Sequence, residues 1–185
     1  MKLILKFGGT SLASPKDINN VAKTVASFSK DNEIVVVCSA VDGVTDDLLL
    51  ISKMIEQRKK ADVTKALNKI IKKHRNLADQ TIKNSAIKKQ LIEKLDADIS
   101  ELQELIRGLT LLKEVSARSL DYLISFGERL SDDLVSYTLQ DLKKKSTALN
   151  GQEVGIVTDS NFGESRPLMD TTRIRISKTL GSLLS

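Results

Sequence analysis

Apolar positions in the first 38 residues alternate between strand and helix patterns. Residues 3–5 form a short apolar run, and residues 34–38 form a β-branched run typical of a parallel strand covered on both faces. Between them, apolar positions recur at helical spacing after Ser14-Pro15, a cap followed by a proline suited to the first helical position. Strand, helix and strand in this order predict a βαβ unit of a parallel sheet.

The middle of the chain has helical periodicity. Apolar residues recur three and four positions apart from about residue 46 to residue 142, and we expect interruptions at Gly108 and at Phe126-Gly127. Strand character returns at residues 147–149 and 154–157 around the turn signal Asn150-Gly151, and an amphipathic helix follows. The pattern predicts an α/β domain with a helical hairpin at its edge.

Composition narrows the class of protein. A chain of 185 residues with 41% hydrophobic residues can bury one sizeable core, and its 3% of aromatic residues leaves that core to Leu, Ile and Val. No apolar run approaches the roughly 20 residues of a membrane span, and the N-terminus does not resemble a signal peptide. The single cysteine, Cys38, cannot form an internal disulfide and lies in an apolar run, where we expect it to pack rather than react. The cytoplasm is therefore the expected compartment.

Positive charge is concentrated between Lys53 and Lys94, a stretch that contains 13 Lys and Arg residues but 4 Asp and Glu residues. This basic belt could bind an acidic partner, but it has no aromatic residue on which a nucleic-acid base could stack. We favour the solvated outer face of lysine-rich helices. The belt contains His74, which we expect at the surface and not at a metal site, because no cysteine or second histidine lies near it.

Candidate chemistry follows the first predicted strand. Lys6 precedes the pair Gly8-Gly9, and the hydroxyls of Thr10 and Ser11 come next. Paired glycines allow backbone N–H groups to approach a phosphate closely, and the lysine adds a cation. The spacing is not that of a Walker P-loop, and an ordinary structural turn explains such a pair equally well.

Three further segments carry polar groups. Ser39 and Thr45 flank a turn after the second strand, on the sheet edge expected to hold Gly8 and Gly9. Glu128 follows Gly127, where it could bind an ammonium group or favour a helix dipole in the first turn of a new helix. The last segment is a polar loop after the final predicted strand, with Thr158, Asp159, Phe162 and Gly163. Each segment alone has a purely structural explanation as a turn, cap or loop.

Together the four segments resemble the aspartate kinase family of the amino acid kinase superfamily. The motifs are K-F-G-G-T-S at 6–11, S-A-x-x-G-V-T-D at 39–46, S-x-G-E at 125–128 and T-D-x-x-F-G at 158–163. Their order and intervals match over essentially the whole chain. The resemblance implies a three-layer αβα sandwich with a mainly parallel sheet, incomplete here, and a helical subregion at about 46–142.

The resemblance also implies a reaction. Aspartate kinases use ATP, with Mg²⁺ held mainly by the nucleotide, to phosphorylate the β-carboxylate of L-aspartate. This reaction, whose product is 4-phospho-L-aspartate, is the first step towards lysine, threonine and methionine. By analogy, Lys6 stabilises the transferring phosphoryl group, and the phosphate path is lined by Gly8, Gly9, Thr10 and Ser11. The aspartate is contacted by Ser39 and Thr45, and Glu128 binds its α-ammonium group. Thr158, Asp159, Phe162 and Gly163 are further loop contacts. We expect a homo-oligomer with no protein ligand for a metal, no nucleic-acid partner and no membrane partner.

The chain departs from the family in one respect. Family members continue into a Gly-Phe strand and a Gly-Arg-Gly-Gly-Ser-Asp segment, whereas this chain has no glycine pair beyond Gly9. We therefore expect residues 1–185 to be the N-terminal portion of a catalytic domain, truncated before the nucleotide-base half and the regulatory ACT-type domains, and inactive alone. The alternatives are a sibling amino acid kinase with another small acceptor and a basic nucleic-acid-binding protein.

Overall fold

The computed structural model describes residues 1–184, which form two strands, a 3-10 turn and seven helices. In chain order the elements are β1 (Lys2–Phe7), the 3-10 turn (Gly9–Leu12), α1 (Pro15–Phe28), β2 (Glu33–Cys38), α2 (Val44–Glu56), α3 (Lys60–Thr81), α4 (Ser85–Leu112), α5 (Ala117–Asp141), α6 (Gly151–Val154) and α7 (Met169–Leu183).

The N-terminal βαβ prediction is confirmed. β1 and β2 pair in parallel from Lys2 opposite Glu33 to Phe7 opposite Cys38. α1 begins at the predicted place, where the Ser14 hydroxyl oxygen accepts the Asp17 N–H.

The prediction that β2 is covered on both faces is wrong. One face of the sheet, which includes Leu5, Phe7 and Val36, packs against the helical core. On the other face Ile4 is 74% exposed and Val37 is 42% exposed, because none of the described elements covers it. The continuous apolar run in β2 therefore does not show how many of its faces are buried.

Most of the core lies among α1–α5. Buried Leu, Ile and Val side chains from these five helices form one continuous cluster that includes Phe126. α5 lies at the centre of this arrangement, since it packs against α1, α2, α3, α4 and β2. The predicted helical subregion at 46–142 corresponds to α2–α5, with short connections at 57–59, 82–84 and 113–116.

The two predicted helix interruptions are wrong. Gly108 lies inside α4, where its position has open space around it, and α4 continues to Leu112 before Lys113 adopts a left-handed conformation. α5 runs without a break through Phe126-Gly127. Gly127 serves a packing contact instead, because a Cβ at this position would lie only 2.8 Å from the Ala40 Cβ.

The predicted strands at 147–149 and 154–157 are also wrong. Asn150 caps the short helix α6 in a capping box with Glu153, and Gly155 ends that helix with a φ of 105°. Residues 147–149 are not in regular secondary structure. Local capping by Asn150 and Glu153 prevailed over the β-branched pattern that follows it.

His74 is fully buried, so its predicted surface position is wrong. It occupies the core-facing side of α3, and its Nδ1 lies 2.8 Å from the carbonyl oxygen of Ile70. Its Nε2 is buried without a hydrogen-bond partner in the described structure. Among residues 1–184, no helix is both long and apolar enough to cross a membrane.

Candidate functional site

The candidate site lies at the carboxyl edge of the two-stranded sheet. Because the strands are parallel, Phe7 and Cys38 end them side by side, and the Ser39 N–H donates to the Phe7 carbonyl at 3.0 Å. The loops after both strands therefore start from neighbouring positions. This is the edge at which parallel α/β sheets bind ligands.

The two glycines after β1 have different surroundings. A Cβ on Gly9 would lie 3.0 Å from the Ala40 carbonyl oxygen, which is closer than an ordinary van der Waals contact, so glycine favours this close approach of the two loops. Gly8 has no atom within 4 Å of the position of a Cβ, and it leaves open space at the sheet edge. Gly9 thus has a structural role, while Gly8 leaves room for a ligand.

The remaining residues of the first motif lie on either side of the two glycines in the chain. Thr10 and Ser11 lie in the 3-10 turn, which the Ser11 N–H closes by donating to the Gly8 carbonyl at 3.0 Å. The first N–H groups of such a turn have no acceptor within it, so they are suited to an anion. Lys6 is exposed, and by strand alternation its side chain leaves the sheet on the open face beside Val37.

α5 approaches the same edge from the helical side. One carboxylate oxygen of Glu128 accepts the Ala40 N–H at 3.3 Å, and the Ser131 hydroxyl donates to the Ser39 carbonyl at 2.7 Å. These contacts depend on the close approach at Gly127. Glu128 therefore lies in the middle of α5, and the prediction that it occupies the first turn of a new helix is wrong.

Asp132 continues this contact one turn further along α5. Burial raises the pKa of the Asp132 carboxyl to about 7, the Glu128 carboxylate adds to the rise, and a hydrogen bond with the Cys38 side chain opposes it. Burial and the neighbouring Asp132 raise the pKa of the Cys38 thiol to about 12, so Cys38 stays protonated and is a poor nucleophile.

Behind Asp132, ion pairs join α4 to α5. Arg129 donates to Asp98 and to Glu101, both at 2.6 Å, and Lys94 donates to Asp98 at 2.8 Å. Burial and the neighbouring Asp98 raise the pKa of the Asp133 carboxyl to about 7. A cavity of about 80 Å³ lies within this network; its charged lining consists of Lys94, Asp98, Arg129, Asp132, Asp133 and Glu153.

The predicted substrate residue Thr45 is half-buried in the first turn of α2. That helix begins after Gly43, which occupies the N-cap position with a left-handed φ of 74°, so Thr45 lies inside the helix and does not cap it. Between Ser39 and Thr45 the chain packs on both Gly9 and Gly127 through Ala40.

The fourth predicted segment contacts α5 at a different point. The Gly163 N–H donates to the Asp121 carboxylate at 2.9 Å, and the Arg118 guanidinium lies over the Phe162 ring at 5.6 Å. Asp159 organises the loop by accepting from the Asn161 and Arg166 N–H groups, both at 3.1 Å, and Thr158 bridges to Pro167. Asp121 precedes Glu128 by two helical turns on the same face of α5, so this loop lies along the helix from the sheet edge.

Several cations of the basic belt have protein partners. Lys69 forms a 2.8 Å ion pair with Asp47, Arg75 forms a 2.7 Å pair with Asp96, and Lys73 donates to the Asp42 carbonyl. These contacts join α3 to α2, α4 and the loop before α2. In the described part of the chain, residues 1–184, no group of three His, Cys, Asp or Glu side chains is arranged to hold a metal ion.

Comparison with known proteins assigns this arrangement to a family. The family model described as "Amino acid kinase family" matches residues 1–181. The chain belongs to the amino acid kinase family. Its fold confirms the predicted αβα class, because the chain superposes over its full length on E. coli aspartokinase III in complex with aspartate and ADP, with a TM-score of 0.85 at 22% identity.

Curated members of the family extend the comparison. The chain is 31% identical to aspartokinase 3 of Arabidopsis thaliana over 179 residues, which are 96% of this chain and 30% of that protein. It is 32% identical to aspartokinase of Candida albicans over 160 residues, 82% of this chain and 28% of that protein. The chain thus spans about a third or less of these relatives, and it covers 38% of the E. coli structure.

The structure brings three of the four predicted segments together and adds residues that the motifs did not indicate. Gly9, the Ser39–Ala40 loop and Glu128 meet at the sheet edge, and Ser131 and Asp132 join them from α5. The available sequence signal was the helical spacing of 128, 131 and 132, which places these residues on one face of an unbroken helix. The expected interruption at Gly127 concealed that signal.

Proposed function

We propose that this chain is the N-terminal part of the catalytic domain of an ATP-dependent aspartate kinase that converts L-aspartate to 4-phospho-L-aspartate, on the route to lysine, threonine and methionine. The observation that carries the proposal is that Glu128 and Gly9 both approach Ala40 at the carboxyl edge of the sheet, Glu128 through its carboxylate and Gly9 through its backbone. An ammonium-binding carboxylate and a phosphate-binding loop on one edge suit an amino acid acceptor and a nucleotide donor. The named aspartokinases among its relatives support this assignment.

The chemistry requires few side chains. One oxygen of the aspartate β-carboxylate bonds to the γ-phosphorus of ATP, the bond from that phosphorus to the β,γ-bridging oxygen breaks, and ADP leaves. The acceptor carboxylate is already ionised at neutral pH, so no general base is needed. The main obstacle is repulsion between anions, which positioned cations and N–H groups relieve.

Each predicted residue has a part in this scheme. Lys6 neutralises charge on the transferring phosphoryl group, with Mg²⁺ carried by the nucleotide. Gly8 leaves space for the phosphate, the N–H groups of Gly9 and Thr10 face it, and the hydroxyls of Thr10 and Ser11 line its path. Glu128 is held by the Ala40 N–H through one carboxylate oxygen and directs the other oxygen to the ammonium group of aspartate. The hydroxyls of Ser39 and Thr45 bind the aspartate carboxylates. The border of the site along α5 is formed by the loop that contains Thr158, Asp159, Phe162 and Gly163.

The ammonium contact can be tested by calorimetric titration of the chain with L-aspartate and with succinate, which has the same two carboxylates but no amine. We expect aspartate to bind more tightly than succinate, and Glu128→Gln to abolish that preference. Glu104→Gln, on the exposed side of α4, is the matched control and should leave the preference intact. Equal affinity for both ligands in the unmodified chain would refute the assignment of Glu128.

The role of Lys6 requires an active enzyme, because we propose that this chain alone does not complete the reaction. In a full-length kinase containing the chain, Lys6→Ala should lower turnover far more than it weakens aspartate binding. Lys2→Ala is the matched control, since Lys2 lies on the same strand face at the opposite end of β1 and pairs with Glu33. A Lys6→Ala enzyme with normal turnover and weak aspartate binding would contradict the role.

The inactivity of the isolated chain is tested with hydroxylamine, which traps an acyl phosphate as a coloured hydroxamate. We expect no hydroxamate above background with ATP, Mg²⁺ and L-aspartate; robust formation would refute the proposal of inactivity. An acceptor screen with the full-length enzyme separates aspartate from the acceptors of sibling amino acid kinases.

We also propose that the enzyme is a homo-oligomer and that this chain self-associates through the open face of its sheet. That face exposes Ile4 and Val37, and among residues 1–184 the sheet has two strands, each with one unpaired edge. Ile4→Lys should shift the sedimentation profile towards monomer, whereas Leu111→Lys, an exposed apolar position at the end of α4, should leave it unchanged. A profile that does not respond to Ile4→Lys would exclude this face.

A further inference from the structure

α5 holds one peptide unit of the loop after β2 by two hydrogen bonds. The Ser131 hydroxyl donates to the Ser39 carbonyl oxygen at 2.7 Å, and the Ala40 N–H donates to the Glu128 carboxylate at 3.3 Å. That carbonyl and that N–H belong to the same peptide unit, and because the unit is trans they point in opposite directions. Two side chains of α5, three residues apart, therefore hold the Ser39–Ala40 peptide from opposite sides.

Ser131 is the donor on which the Ser39 carbonyl depends. Ser131 and Ala40 are both buried, and no other donor reaches the Ser39 carbonyl within the described residues 1–184. The Ser131 oxygen also lies 2.9 Å from the Glu128 carbonyl oxygen, but that carbonyl is in the interior of α5, where the helix supplies an N–H four residues further on. The Glu128 carboxylate can only accept, so it fixes which way the peptide faces, and the Ser131 hydroxyl satisfies the opposite end.

The peptide unit on the other side of Ser39 is held as well. The Ser39 N–H donates to the Phe7 carbonyl at 3.0 Å, which continues the pairing of the two strands. Each residue has only two soft backbone dihedrals, so fixing both flanking peptide units fixes the direction in which the Ser39 side chain leaves the chain. β1 supplies one half of this constraint and Ser131 the other half.

We propose that Ser131 is a positioning residue for the amino acid substrate. Through the Ser39–Ala40 peptide it directs the Ser39 hydroxyl towards aspartate and keeps one Glu128 oxygen on the Ala40 N–H, which leaves the other oxygen for the ammonium group. This inference rests on the proposed function, because it takes Ser39 and Glu128 as the aspartate contacts. Without the Ser131 hydroxyl the Ser39 carbonyl has no donor, and a rotation of the peptide to find one withdraws the N–H from Glu128.

Ser131→Ala and a matched control, Ser136→Ala, separate this role from a general effect on the fold. Ser136 is also a buried serine of α5, but its hydroxyl donates to Ser146 and not to the loop after β2. Alanine is favourable inside a helix, so α5 is retained in both variants. Hydrogen exchange of the Ala40 amide, followed by NMR, needs no ligand. Relative to the buried amides of α5, it should become about 2–10-fold faster in Ser131→Ala and stay unchanged in Ser136→Ala.

Calorimetric titration with L-aspartate provides the second measurement. Ser131→Ala should weaken affinity by about 2–10-fold, whereas Ser136→Ala should leave it unchanged. Because Ser131 acts partly through the Ser39 hydroxyl, the loss in the double variant of Ser131→Ala and Ser39→Ala should be smaller than the product of the two single losses.

Three results would each overturn this inference and leave the proposed function standing. They are unchanged Ala40 exchange in Ser131→Ala, equal effects of Ser131→Ala and Ser136→Ala on aspartate affinity, and a loss in the double variant equal to the product of the single losses. Failure of the unmodified chain to bind aspartate would instead overturn the proposed function, and the role of Ser131 in substrate binding with it.

Discussion

Acidification is expected to destabilise the fold through His74, the single histidine of the chain. The side chain is fully buried in α3, where Nδ1–H can donate to the Ile70 carbonyl while Nε2 has no partner in the described structure. A proton on Nε2 would place a charge in the core. Burial accordingly lowers the pKa of His74 from 6.5 to about 4.

The sign and size of the effect follow from linkage. Between pH 6.5 and pH 4 the unfolded chain binds a proton at His74 that the folded chain does not, so stability is lost as the pH falls through this window. The pKa of His74 is lowered by about 2.5, so this residue can change the free energy of unfolding by at most about 3 kcal/mol. About 2 kcal/mol of that free energy is lost between pH 7 and pH 5.

Urea denaturation of the unmodified chain and of His74→Asn, followed by circular dichroism at both pH values, measures this contribution. The Asn amide can replace the Nδ1–H donor but does not titrate in this range. The comparison is needed because Asp132 and Asp133, whose pKa values are raised to about 7, act in the opposite direction: their contribution decreases as the pH rises from 3.8 to about 7. Both carboxyls are present in both proteins, so their effect cancels in the difference.

Between pH 7 and pH 5, the free energy of unfolding should fall by about 2 kcal/mol more in the unmodified chain than in His74→Asn. Parallel pH dependences of the two proteins would refute the reasoning. Proton NMR is an independent check, because the one histidine gives a single Cε1–H resonance to follow, and a titration midpoint near 6.5 in the folded chain would show that Nε2 reaches solvent.

Two further predictions concern α4 and α5. Gly127→Ala should destabilise the fold by about 1–3 kcal/mol, because its Cβ would lie 2.8 Å from the Cβ of the facing residue; Gly108→Ala, in open space in the interior of α4, should stabilise it by about 0.5–1 kcal/mol. Urea denaturation of both variants measures these changes, and equal effects would contradict the packing role of Gly127. Arg129→Ala should lower the free energy of unfolding by about 1.5–3 kcal/mol, because it removes a charged hydrogen bond from the buried Asp98 carboxylate, which keeps Lys94. Arg107→Ala, on the exposed side of α4, should change that free energy by less than about 0.5 kcal/mol. Similar thermal melts for the two arginine variants would count against that network.

Gly108 and Gly127, predicted to interrupt helices, both lie inside continuous helices. A glycine in a helical stretch can mark an end, a kink or a close contact, and these have the same sequence signal. Gly127 marks a close contact, and the residue that requires it, Ala40, is far away in the chain. For the same reason, the sequence pattern predicts a helix start at Glu128 and gives no indication that Asp132 lies near it.

The chemistry of single positions depended on burial in the same way. His74 follows several lysines, and a basic stretch favours an exposed side chain, yet the residue lies on the core-facing side of α3. At 154–157 a β-branched pattern suggested a strand, but Asn150 and Glu153 had already capped a helix and Gly155 ended it. Where a local cap was read correctly, as at Ser14, the structure agrees with the prediction.

The sequence alone determined the features that neighbouring residues control: the βαβ start, the cap at Ser14, the helical region between residues 46 and 142, and the order of the four motifs. Only the tertiary structure decided which of those motifs meet, because the contact of Glu128 with Ala40 joins positions 88 residues apart. It also decided the pKa values of His74 and Asp132, since these depend on how completely the surrounding helices exclude water. Local propensity is written into short segments, whereas burial and long-range contact arise only when the helices pack.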